Sequence, residues 1–515
     1  MTRRDFLGVG LAVAVAAALL PWRAGNAADS STLVYADAGE PSTIDPAKAN
    51  INWELTVTRN VYDRLVNFDL ADPAKLEPAL ATSWKQDGTV WTFTLRDGVK
   101  FHDGSTFDAD DVKASLDRLL RIGQGQSYLV ADIASVTVVD PHTVKIETKA
   151  PNVFLAGNLS RIEMVSADDI AKHAGDADKG DAWFGENANG TGPYAFVSWT
   201  RGAQIELKRN TAWWGQFPKL AFDRVIDRFV GDGANRARGL EGGEYDLAGF
   251  VPRDEALRIG KSSGFHLVEG NNLWAWPAIY LNMELKPTDN ADYREALVRA
   301  FDYGAMIQYF QGGAVTPRGP VPSWFPGSPE NDEPAIATDL AAAKAALQKS
   351  GLSGTGMKCS VPAGFPEFRF AATVLQSSAA QLGIKVEIEE QPFVQAITAI
   401  KDNKSNCFVL GNANLSPTDA TKFFAAHYLK GGFFNSGKFY DAALDALVLK
   451  IPTVADEAER KAMLKQAFET VVKSHYIIWA ARPTTVVPEP DRVRGYRIDP
   501  AEYINVRFWE LHAAE

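Results

Sequence analysis

The sequence predicts an α/β protein of more than one domain, and three observations lead to this class. The chain has 515 residues, which is too long for one ordinary domain and suggests roughly two to four. Hydrophobic residues make up 46% of it and charged residues 23%, so a large core can be buried. Strands dominate the first third, whereas strands alternate with helices in the second half, as is typical of an α/β layer.

Local patterns place the elements of the strand-rich first third. Residues 33–36 read as a strand, and residues 90–95 alternate with aromatic and aliphatic side chains on one face. Asp97-Gly98 predicts a hairpin turn into another strand over residues 99–101. Asp108 predicts the N-cap of a helix, because two more aspartates and an apolar stripe follow it. This third is therefore expected to be an α+β region.

The second half is expected to alternate strands with helices. Thr338 predicts a helix N-cap, and residues 357–361 read as the strand that follows this helix. A further helix is predicted over residues 371–382, with Gly383 ending it. Residues 457–473 predict a long amphipathic helix.

The N-terminus has the three zones of an export signal. Arg3-Arg4 precede an apolar stretch that ends at Leu20, and small residues follow near Ala27. The stretch is shorter than the ~20 residues that a membrane-spanning helix needs. The paired arginines resemble the twin-arginine type of signal, which exports folded proteins. We therefore expect residues 1–27 to be removed and the product to be periplasmic.

The charged and sulfur-containing residues narrow the classes of partner and site. A formal net charge of −11 disfavours nucleic acid and anionic membranes as main partners. Cys359 and Cys407 are the two cysteines, and either two buried thiols or a disulfide is compatible with their apolar contexts. The seven histidines are scattered singly, without metal-binding spacing. We expect no metal, no cofactor and no catalytic residue, and hence a protein that is not an enzyme.

Tryptophan supplies the first candidate binding residues. Trp274 and Trp276 are crowded into an Asn-Asn-Leu-Trp-Ala-Trp-Pro segment, where indole planes lie beside side-chain amides. Such a mixture suits a ligand site, because rings give contact area and amides orient polar groups. Core packing is the alternative for this pair, and it is favoured for Trp213-Trp214.

Several longer motifs occur in a fixed order along the chain. They are Leu80-Ala81-Thr82-Ser83-Trp84, residues 91–104, Ala109-Asp110-Asp111-Val112, Asn189-Gly190-Thr191-Gly192-Pro193-Tyr194, Lys208-Arg209-Asn210, Tyr280-Leu281-Asn282 and Tyr293-Arg294-Glu295-Ala296-Leu297. Together they resemble the dipeptide/oligopeptide-binding type of extracytoplasmic solute-binding proteins of ABC importers, also called family 5. The likeness runs from about residue 33 to residue 496.

The resemblance implies a two-lobed periplasmic binding protein, or Venus flytrap, with an extra α+β subdomain inserted in the first lobe. Hinge crossings are expected near residues 281–287 and 480–486, and closure over the solute is the functional event. The expected divisions are the signal peptide 1–27, lobe I over 28–60, 190–284 and 485–515, its inserted subdomain 61–189, and lobe II over 285–484.

One loop of the family bears on the ligand. Peptide-binding members carry a Trp-x-x-Asp-x-x-x-Pro loop, whose acid pairs with the amino group of the peptide. Aligned on Pro417, this chain has Leu410 and Ala413 at the positions of the tryptophan and the acid, and offers Asn412 and Asn414 instead. A buried ammonium without a carboxylate partner is costly. The loop therefore favours a sugar conjugate, an opine or an oligosaccharide.

Other candidate contacts follow from position within the resemblance. Glu40 and Ser42 lie in the loop after the first strand, and Tyr128 lies in a subdomain loop that can reach the cleft. Asn435 and Trp479 are expected to face the cleft from lobe II. Ordinary loop or hinge roles are the alternative for each of these residues.

The sequence as a whole predicts a monomeric periplasmic receptor that passes a small-molecule solute to an ABC permease in the inner membrane. A peptide receptor of the same type remains open, since Glu40 could supply the partner of the ammonium group. A hydrolase that uses a carboxylate pair on glycans is the alternative from another class. A sensor subunit that engages a chemoreceptor remains open too.

Overall fold

The computed structural model describes residues 31–175, 178, 180–271, 275–329, 336–412, 419–432, 434–499 and 506–515, apart from the side chains of 271, 275, 276 and 412. These residues form two α/β lobes, each built on a five-stranded sheet, and a four-stranded sheet inserted in the first lobe. The α/β class, the two lobes and the inserted subdomain agree with the sequence prediction.

Lobe I begins with β1 (Thr32–Asp37) and α1 (Asn52–Val61), after which the chain enters the subdomain. The four-stranded antiparallel sheet of the subdomain has the order β4-β5-β7-β6. The elements of the subdomain are β2 (Val66–Phe68), β3 (Leu76–Pro78), β4 (Ala81–Asp87), β5 (Val90–Leu95), α2 (Ala109–Ile122), β6 (Ile133–Asp140), β7 (Thr143–Thr148), α3 (Leu155–Leu159), α4 (Ala167–His173) and α5 (Asp181–Glu186).

The chain then completes the sheet of lobe I, which has the order β11-β1-β10-β9-β8. β1 is parallel to both of its neighbours, and the other pairs are antiparallel. The elements are β8 (Tyr194–Thr200), β9 (Gln204–Arg209), β10 (Arg224–Phe229), α6 (Gly233–Glu241), β11 (Leu247–Ala248), α7 (Arg253–Ile259) and β12 (Phe265–Asn271).

Lobe II is built on a sheet of order β16-β15-β17-β13-β18 with helices on both faces. Its elements are β13 (Ala275–Leu281), α8 (Ala291–Ala300), α9 (Tyr303–Tyr309), β14 (Ala314–Val315), α10 (Leu340–Ser350), β15 (Met357–Pro362), α11 (Pro366–Ala380), β16 (Val386–Gln391), α12 (Phe393–Lys401), β17 (Cys407–Asn412), α13 (Ala420–His427), α14 (Ala442–Lys450), α15 (Glu457–Lys473) and β18 (Ile477–Trp479).

The chain returns to lobe I through β19 (Arg482–Pro490), β20 (Val493–Arg494) and β21 (His512–Ala513). β19 pairs antiparallel with β12, so these two strands connect the lobes side by side. The second predicted hinge, residues 480–486, overlaps the start of β19. The first, residues 281–287, lies beyond β13, which already belongs to the sheet of lobe II. The boundary predicted at residue 284 therefore falls one strand too late.

Both faces of the lobe II sheet are buried, as expected for a sheet covered by helices. Ile279 and Leu281 of β13 pack into one hydrophobic cluster, whereas Ala278 and Tyr280 pack into the other. Alternate residues of a strand point to opposite faces, so β13 contributes to both cores. Cys359 of β15 and its register partner in β17 form a disulfide between adjacent strands, which settles the alternatives left open for the cysteines.

Local sequence patterns predicted several ends of helices correctly, and the predictions that were wrong have physical reasons. Asp108 caps α2 as predicted, and α15 has the predicted bounds. The cap of α10 is Asp339 rather than Thr338, whose hydroxyl donates to the carbonyl of Phe301 instead. The predicted strand at 99–101 is wrong, because β5 pairs with β4 and β7 and leaves this segment only an isolated bridge. α11 begins five residues early, with proline in its first turn.

Candidate functional site

Three strands of lobe II bring its predicted binding segments to one edge of the sheet. β13 runs antiparallel to β17 and β18, with Ala275 opposite Asn412 and Ala278 opposite Trp479. The start of β13 therefore adjoins the ends of the other two strands, and the tryptophan segment lies beside the amide segment. The remaining predicted groups of these segments lie outside the described residues: Trp274, Asn414, and the side chains of Trp276 and Asn412.

Trp479 at the end of β18 is almost completely enclosed. Its side chain is 1% exposed and packs in the cluster that contains Tyr280 and Phe408. The indole N–H of Trp479 is buried and has no hydrogen-bond partner among the described residues. Buried donors are nearly always paired, so this N–H is one of the exceptions within the described part of the chain.

Asn435 has a different surrounding from the one expected. Its amide nitrogen donates to the carbonyls of Leu429 and Phe439 at 3.0 and 2.8 Å. Its amide oxygen accepts from the N–H of Phe439 at 2.9 Å and from the hydroxyl of Tyr476 at 3.0 Å. These bonds hold the loop between α13 and α14, so the structure gives Asn435 the loop role that was its alternative.

Glu40 lies half-buried against the turn between β8 and β9. Its carboxylate accepts hydrogen bonds from the indole N–H of Trp199 and the backbone N–H of Gly202, both at 3.1 Å. The guanidinium of Arg201 lies 3.9 Å away. Glu40 already has a cationic neighbour in its own lobe, and this weakens the idea that it pairs with the ammonium of a peptide.

Ser42 is exposed and holds its loop to α1. The Ser42 hydroxyl donates to the carboxylate of Glu54 at 2.6 Å. The second carboxylate oxygen of Glu54 accepts from the N–H groups of Asn50 and Ile51 at 3.0 and 3.3 Å. The Glu54 carboxylate therefore fixes the backbone before α1, and Ser42 is one of its hydrogen-bond donors.

Tyr128 lies at the boundary between the subdomain and lobe II. Its backbone carbonyl accepts a hydrogen bond from the ammonium of Lys422 in α13 at 3.3 Å. Burial raises the pKa of the Tyr128 hydroxyl, although the nearby guanidiniums of Arg161 and Arg59 oppose the rise. The hydroxyl is therefore neutral at physiological pH.

Two further hydrogen bonds cross the same boundary, and sequence reasoning missed them. The side-chain amide of Asn158 donates to the carboxylate of Asp419 at 3.1 Å. The N–H of Val153 donates to the carbonyl of Pro452 at 3.0 Å. Phe68 of the subdomain also packs into a hydrophobic cluster of lobe II. The lobes are therefore in contact along the subdomain. No local signal could reveal this, since Asn158 and Asp419 are 261 residues apart.

Buried charges of both signs lie beside this boundary, with Glu163 and Asp499 near the arginines. Arg59, Arg64 and Arg161 are 4, 6 and 9% exposed, and Glu163 lies 3.7 Å from the Arg59 guanidinium. Burial is the main cause that lowers the pKa of Arg59 well below its ordinary value, and the charges of Arg161 and Arg64 lower it further. Burial likewise lowers the pKa of Arg64 to about 10. We name Arg59, Arg64 and Arg161 the arginine cluster.

The tryptophan pair for which core packing was favoured is half-buried and contacts Asp63. The indole N–H groups of Trp213 and Trp214 both donate to one carboxylate oxygen of Asp63, at 3.3 and 2.7 Å. The guanidinium of Arg96 lies 4.3 Å above the ring of Trp214. Asp63 is 8% exposed, so these bonds replace the water that its carboxylate loses.

The described residues contain neither a membrane-spanning helix nor a metal-binding cluster. No helix in the described ranges combines the length and apolarity needed to cross a membrane. No group of three or more His, Cys, Asp or Glu side chains within those ranges is arranged to hold a metal ion.

The two lobes of this protein are joined by paired crossing strands and meet at a boundary that polar contacts cross. This arrangement is typical of the class of two-lobed solute receptors. Comparisons with known proteins agree. The chain is 28% identical over 484 residues to the probable D,D-dipeptide-binding periplasmic protein DdpA of Escherichia coli, covering 91% of this chain and 92% of the relative. It is 28% identical over 530 residues to the glutathione-binding protein GsiB of Pectobacterium atrosepticum, covering 97 and 96%.

A solved structure extends the likeness to three dimensions. The periplasmic binding protein AgaA of Agrobacterium tumefaciens, in complex with agropinic acid, superposes with a TM-score of 0.76 and 25% identity, covering 94% of this chain and 99% of that chain. The family model described as the middle part of bacterial extracellular solute-binding proteins, family 5, matches residues 75–435. The chain belongs to this family.

Family membership confirms several predictions. The protein is a periplasmic solute-binding receptor that delivers a small solute to an ABC permease in the inner membrane. It is a binding protein and not an enzyme, so the glycan hydrolase considered above is not supported. The predicted resemblance to the dipeptide/oligopeptide-binding type is also confirmed.

Proposed function

We propose that this receptor captures a small amino-acid-derived solute, either a short peptide or an opine-type conjugate, and presents it to its ABC permease by lobe closure. The observation that carries the proposal is the cation of α13 at the lobe boundary. The ammonium of Lys422 reaches the carbonyl of Tyr128 in the subdomain at 3.3 Å, whereas the carboxylate of Asp419 is already bound by Asn158 and Thr421. A solute that carries a carboxylate can pair with the charge of Lys422, whereas a neutral oligosaccharide cannot.

The relatives support the same class of ligand. The names of two relatives refer to D,D-dipeptides and to glutathione, and a structural neighbour holds agropinic acid. All three kinds of molecule carry at least one carboxylate. The oligosaccharide suggested by the Ala413 loop has no counterpart among these three proteins, whereas the opine does.

Closure would couple binding to transport. Contacts from one solute to both lobes stabilise the closed state, and a ligand shifts such an equilibrium only by its difference in affinity for the two states. The indole N–H of Trp479 and the amides expected near Asn412 supply neutral polar contacts at the edge of lobe II. Charged groups on α13 and in the subdomain then select the solute.

The test is a binding screen of the mature protein, residues 28–515. The panel contains L,L- and D,D-dipeptides, glutathione, agropinic acid and neutral oligosaccharides such as maltotriose. We expect an amino-acid-derived member to raise the melting temperature by mass action and to reduce the radius of gyration in small-angle scattering. If maltotriose or another neutral sugar did so and no amino-acid-derived compound did, the proposed ligand class would be wrong.

We also propose that the twin-arginine route exports the chain. Support comes from Arg3-Arg4, placed before Phe6-Leu7 and an apolar stretch. Replacing Arg3 and Arg4 with lysine should leave the protein in the cytoplasmic fraction. Arg23→Lys, which lies after the apolar stretch, is the matched control and should be exported normally. Wild-type export of the double variant would contradict this route.

A further inference from the structure

Arg253 lies where lobe I, a crossing strand and lobe II meet. It is the first residue of α7 in lobe I, and its side chain is half-buried. The guanidinium donates to the backbone carbonyl of Phe310 in lobe II at 3.2 Å. It also donates to the carbonyl and the hydroxyl of Thr484 in β19, at 2.6 and 3.4 Å. One side chain of lobe I therefore binds both the crossing strand and the other lobe.

Both acceptor residues are held by their own surroundings. Phe310 directly follows α9, is 7% exposed and packs into a hydrophobic cluster of lobe II. Thr484 lies within residues 480–486, the hinge crossing expected from the sequence. The N–H and the hydroxyl of Thr484 both donate to the carbonyl of Gly313 at 2.9 Å. The bonds of Arg253 therefore act on the hinge itself and on the core of lobe II.

Gly313 leaves the space that the guanidinium occupies. A Cβ atom at this position would overlap Nη2 of Arg253 and would lie 2.6 Å from its Cζ. Gly313 does not have a positive φ, so its backbone conformation is open to alanine. An alanine there would displace the end of a flexible arginine side chain. The absence of a side chain at Gly313 is thus what lets the guanidinium reach its acceptors.

The hydrogen bonds of Arg253 are charge-assisted. Within the described ranges the guanidinium donates to carbonyl and hydroxyl oxygens rather than to a carboxylate. Burial lowers the pKa of Arg253, and the carboxylate of Glu269 on β12 opposes this change. Arginine nevertheless stays charged, and bonds from a charged donor are stronger than neutral ones. A rotation of lobe II that breaks these bonds is therefore disfavoured.

We propose that Arg253 is a positioning residue for lobe closure, which holds β19 and lobe II in the arrangement in which the subdomain touches lobe II. Opening changes backbone angles in the crossing strands and moves lobe II relative to α7, so it breaks bonds to Phe310 and Thr484. The inference rests on the closure step of the proposed function and is independent of the class of solute. Arg253 acts through the population of the closed state, which sets the apparent affinity for any solute.

The experiment measures the radius of gyration of the ligand-free mature protein, residues 28–515, by small-angle X-ray scattering. Arg253→Met removes the charge-assisted bonds, whereas Gly313→Ala displaces the guanidinium and keeps its charge. We expect a larger radius of gyration for both variants than for the wild type, because the open state gains population. The double variant should have the radius of either single variant, because both substitutions remove the same contact.

Solute affinity gives a second measure of the same equilibrium. The probes are glutathione and the dipeptide Met-Leu, and isothermal titration measures their binding. For each probe that binds the wild type, we expect Arg253→Met and Gly313→Ala to lose roughly tenfold in affinity, the value of hydrogen bonds from a charged donor. Arg253→Lys keeps the charge but replaces the planar fork with a point charge, so its affinity should be intermediate.

Two variants control for general damage. Arg258→Met removes an arginine of the same helix, whose guanidinium pairs with Glu241 and Glu255 inside lobe I. Gly231→Ala adds a methyl group at an exposed position, where a Cβ atom would have no atom from beyond its chain neighbours within 4 Å. Both controls should keep the wild-type radius of gyration and the wild-type affinities.

The outcomes separate the role of Arg253 from the proposed ligand class. A wild-type radius of gyration for both Arg253→Met and Gly313→Ala, or wild-type affinity of both for a probe that binds, would overturn the role of Arg253. If circular dichroism shows that Arg253→Met does not fold, Gly313→Ala decides. If no compound of the panel binds the wild-type protein, the ligand class is wrong, and the scattering of the ligand-free variants still decides the role of Arg253.

Discussion

The carboxylate of Asp45 and the guanidinium of Arg118 form a bidentate ion pair in which both N···O distances are 2.7 Å. The two residues are 0 and 3% exposed, so the pair is almost completely removed from water. Asp45 lies in the loop after β1 and Arg118 lies on α2, so the pair joins the body of lobe I to its subdomain. The Arg118 guanidinium also lies 4.0 Å above the ring of Phe184.

Arg118→Met should destabilise the protein strongly. Removing one partner leaves a buried uncompensated charge, which typically costs roughly 3–5 kcal/mol. Urea denaturation of the ligand-free protein measures the loss. Lys113→Met on the same helix is the control, because Lys113 pairs with Asp117 at 2.7 Å but the two side chains are 44 and 52% exposed. An exposed pair is worth about 1 kcal/mol or less. Equal losses for the two variants would contradict the structural role of the buried pair.

The stability of lobe I should fall as the pH rises, because two carboxyl groups are buried side by side. Tyr35 of β1 is in register with Asp227 of β10, and Asp37 follows two residues later on the same face. Burial raises the pKa of Asp37 to about 7. Burial is also the main cause that raises the pKa of Asp227 well above its ordinary value, and the charge of Asp37 adds to it.

The direction of this pH dependence of stability follows from proton linkage. The folded state holds protons that the unfolded state releases, so this stabilisation is complete below about pH 4 and is lost as the pH rises through about 7. The slope is about 1.4 kcal/mol per pH unit for each proton concerned. Asp227→Asn should therefore be more stable than the wild type at pH 8 and show a shallower decline from pH 5. The exposed Asp87→Asn is the control, and a wild-type decline in Asp227→Asn would refute the assignment.

The disulfide between Cys359 and Cys407 should stabilise lobe II. Both cysteines are 0% exposed, and they lie 48 residues apart in sequence. A cross-link of this span stabilises a protein by roughly 2–4 kcal/mol, chiefly by restricting the unfolded chain. We expect the double variant Cys359→Ala/Cys407→Ala to melt at a lower temperature than the oxidised wild type. Dithiothreitol should lower the melting temperature of the wild type only, and an equal effect on both proteins would argue against the disulfide.

Trp479→Phe tests the unpartnered indole N–H. The substitution keeps an aromatic ring in the cluster and removes no hydrogen bond that the indole makes to the described residues. The affinity for the solute should fall by roughly three- to tenfold, the value of one hydrogen bond, while the ligand-free protein stays folded. Phe408→Leu in the same cluster is the control for altered packing. Unchanged affinity of Trp479→Phe would remove this residue from the site.

The sequence alone determined what depends on short stretches of chain and on long ordered motifs. The cap at Asp108 and the bounds of α15 follow from patterns within single short stretches of chain. The family, and with it the two lobes, followed from motifs spread over most of the chain. Local periodicity carries this information because a helix or strand buries one face whatever its later neighbours are.

The tertiary structure alone decided which candidate side chains meet the lobe boundary. Glu40 and Asn435 are drawn to partners in their own lobes, whereas Lys422 and Asp419 come to the boundary without any local signal. The physical reason is sequence separation. A hydrogen bond such as that between Lys422 and Tyr128 joins residues 294 positions apart, and it forms only after each lobe has packed and the crossing strands have set the lobes face to face.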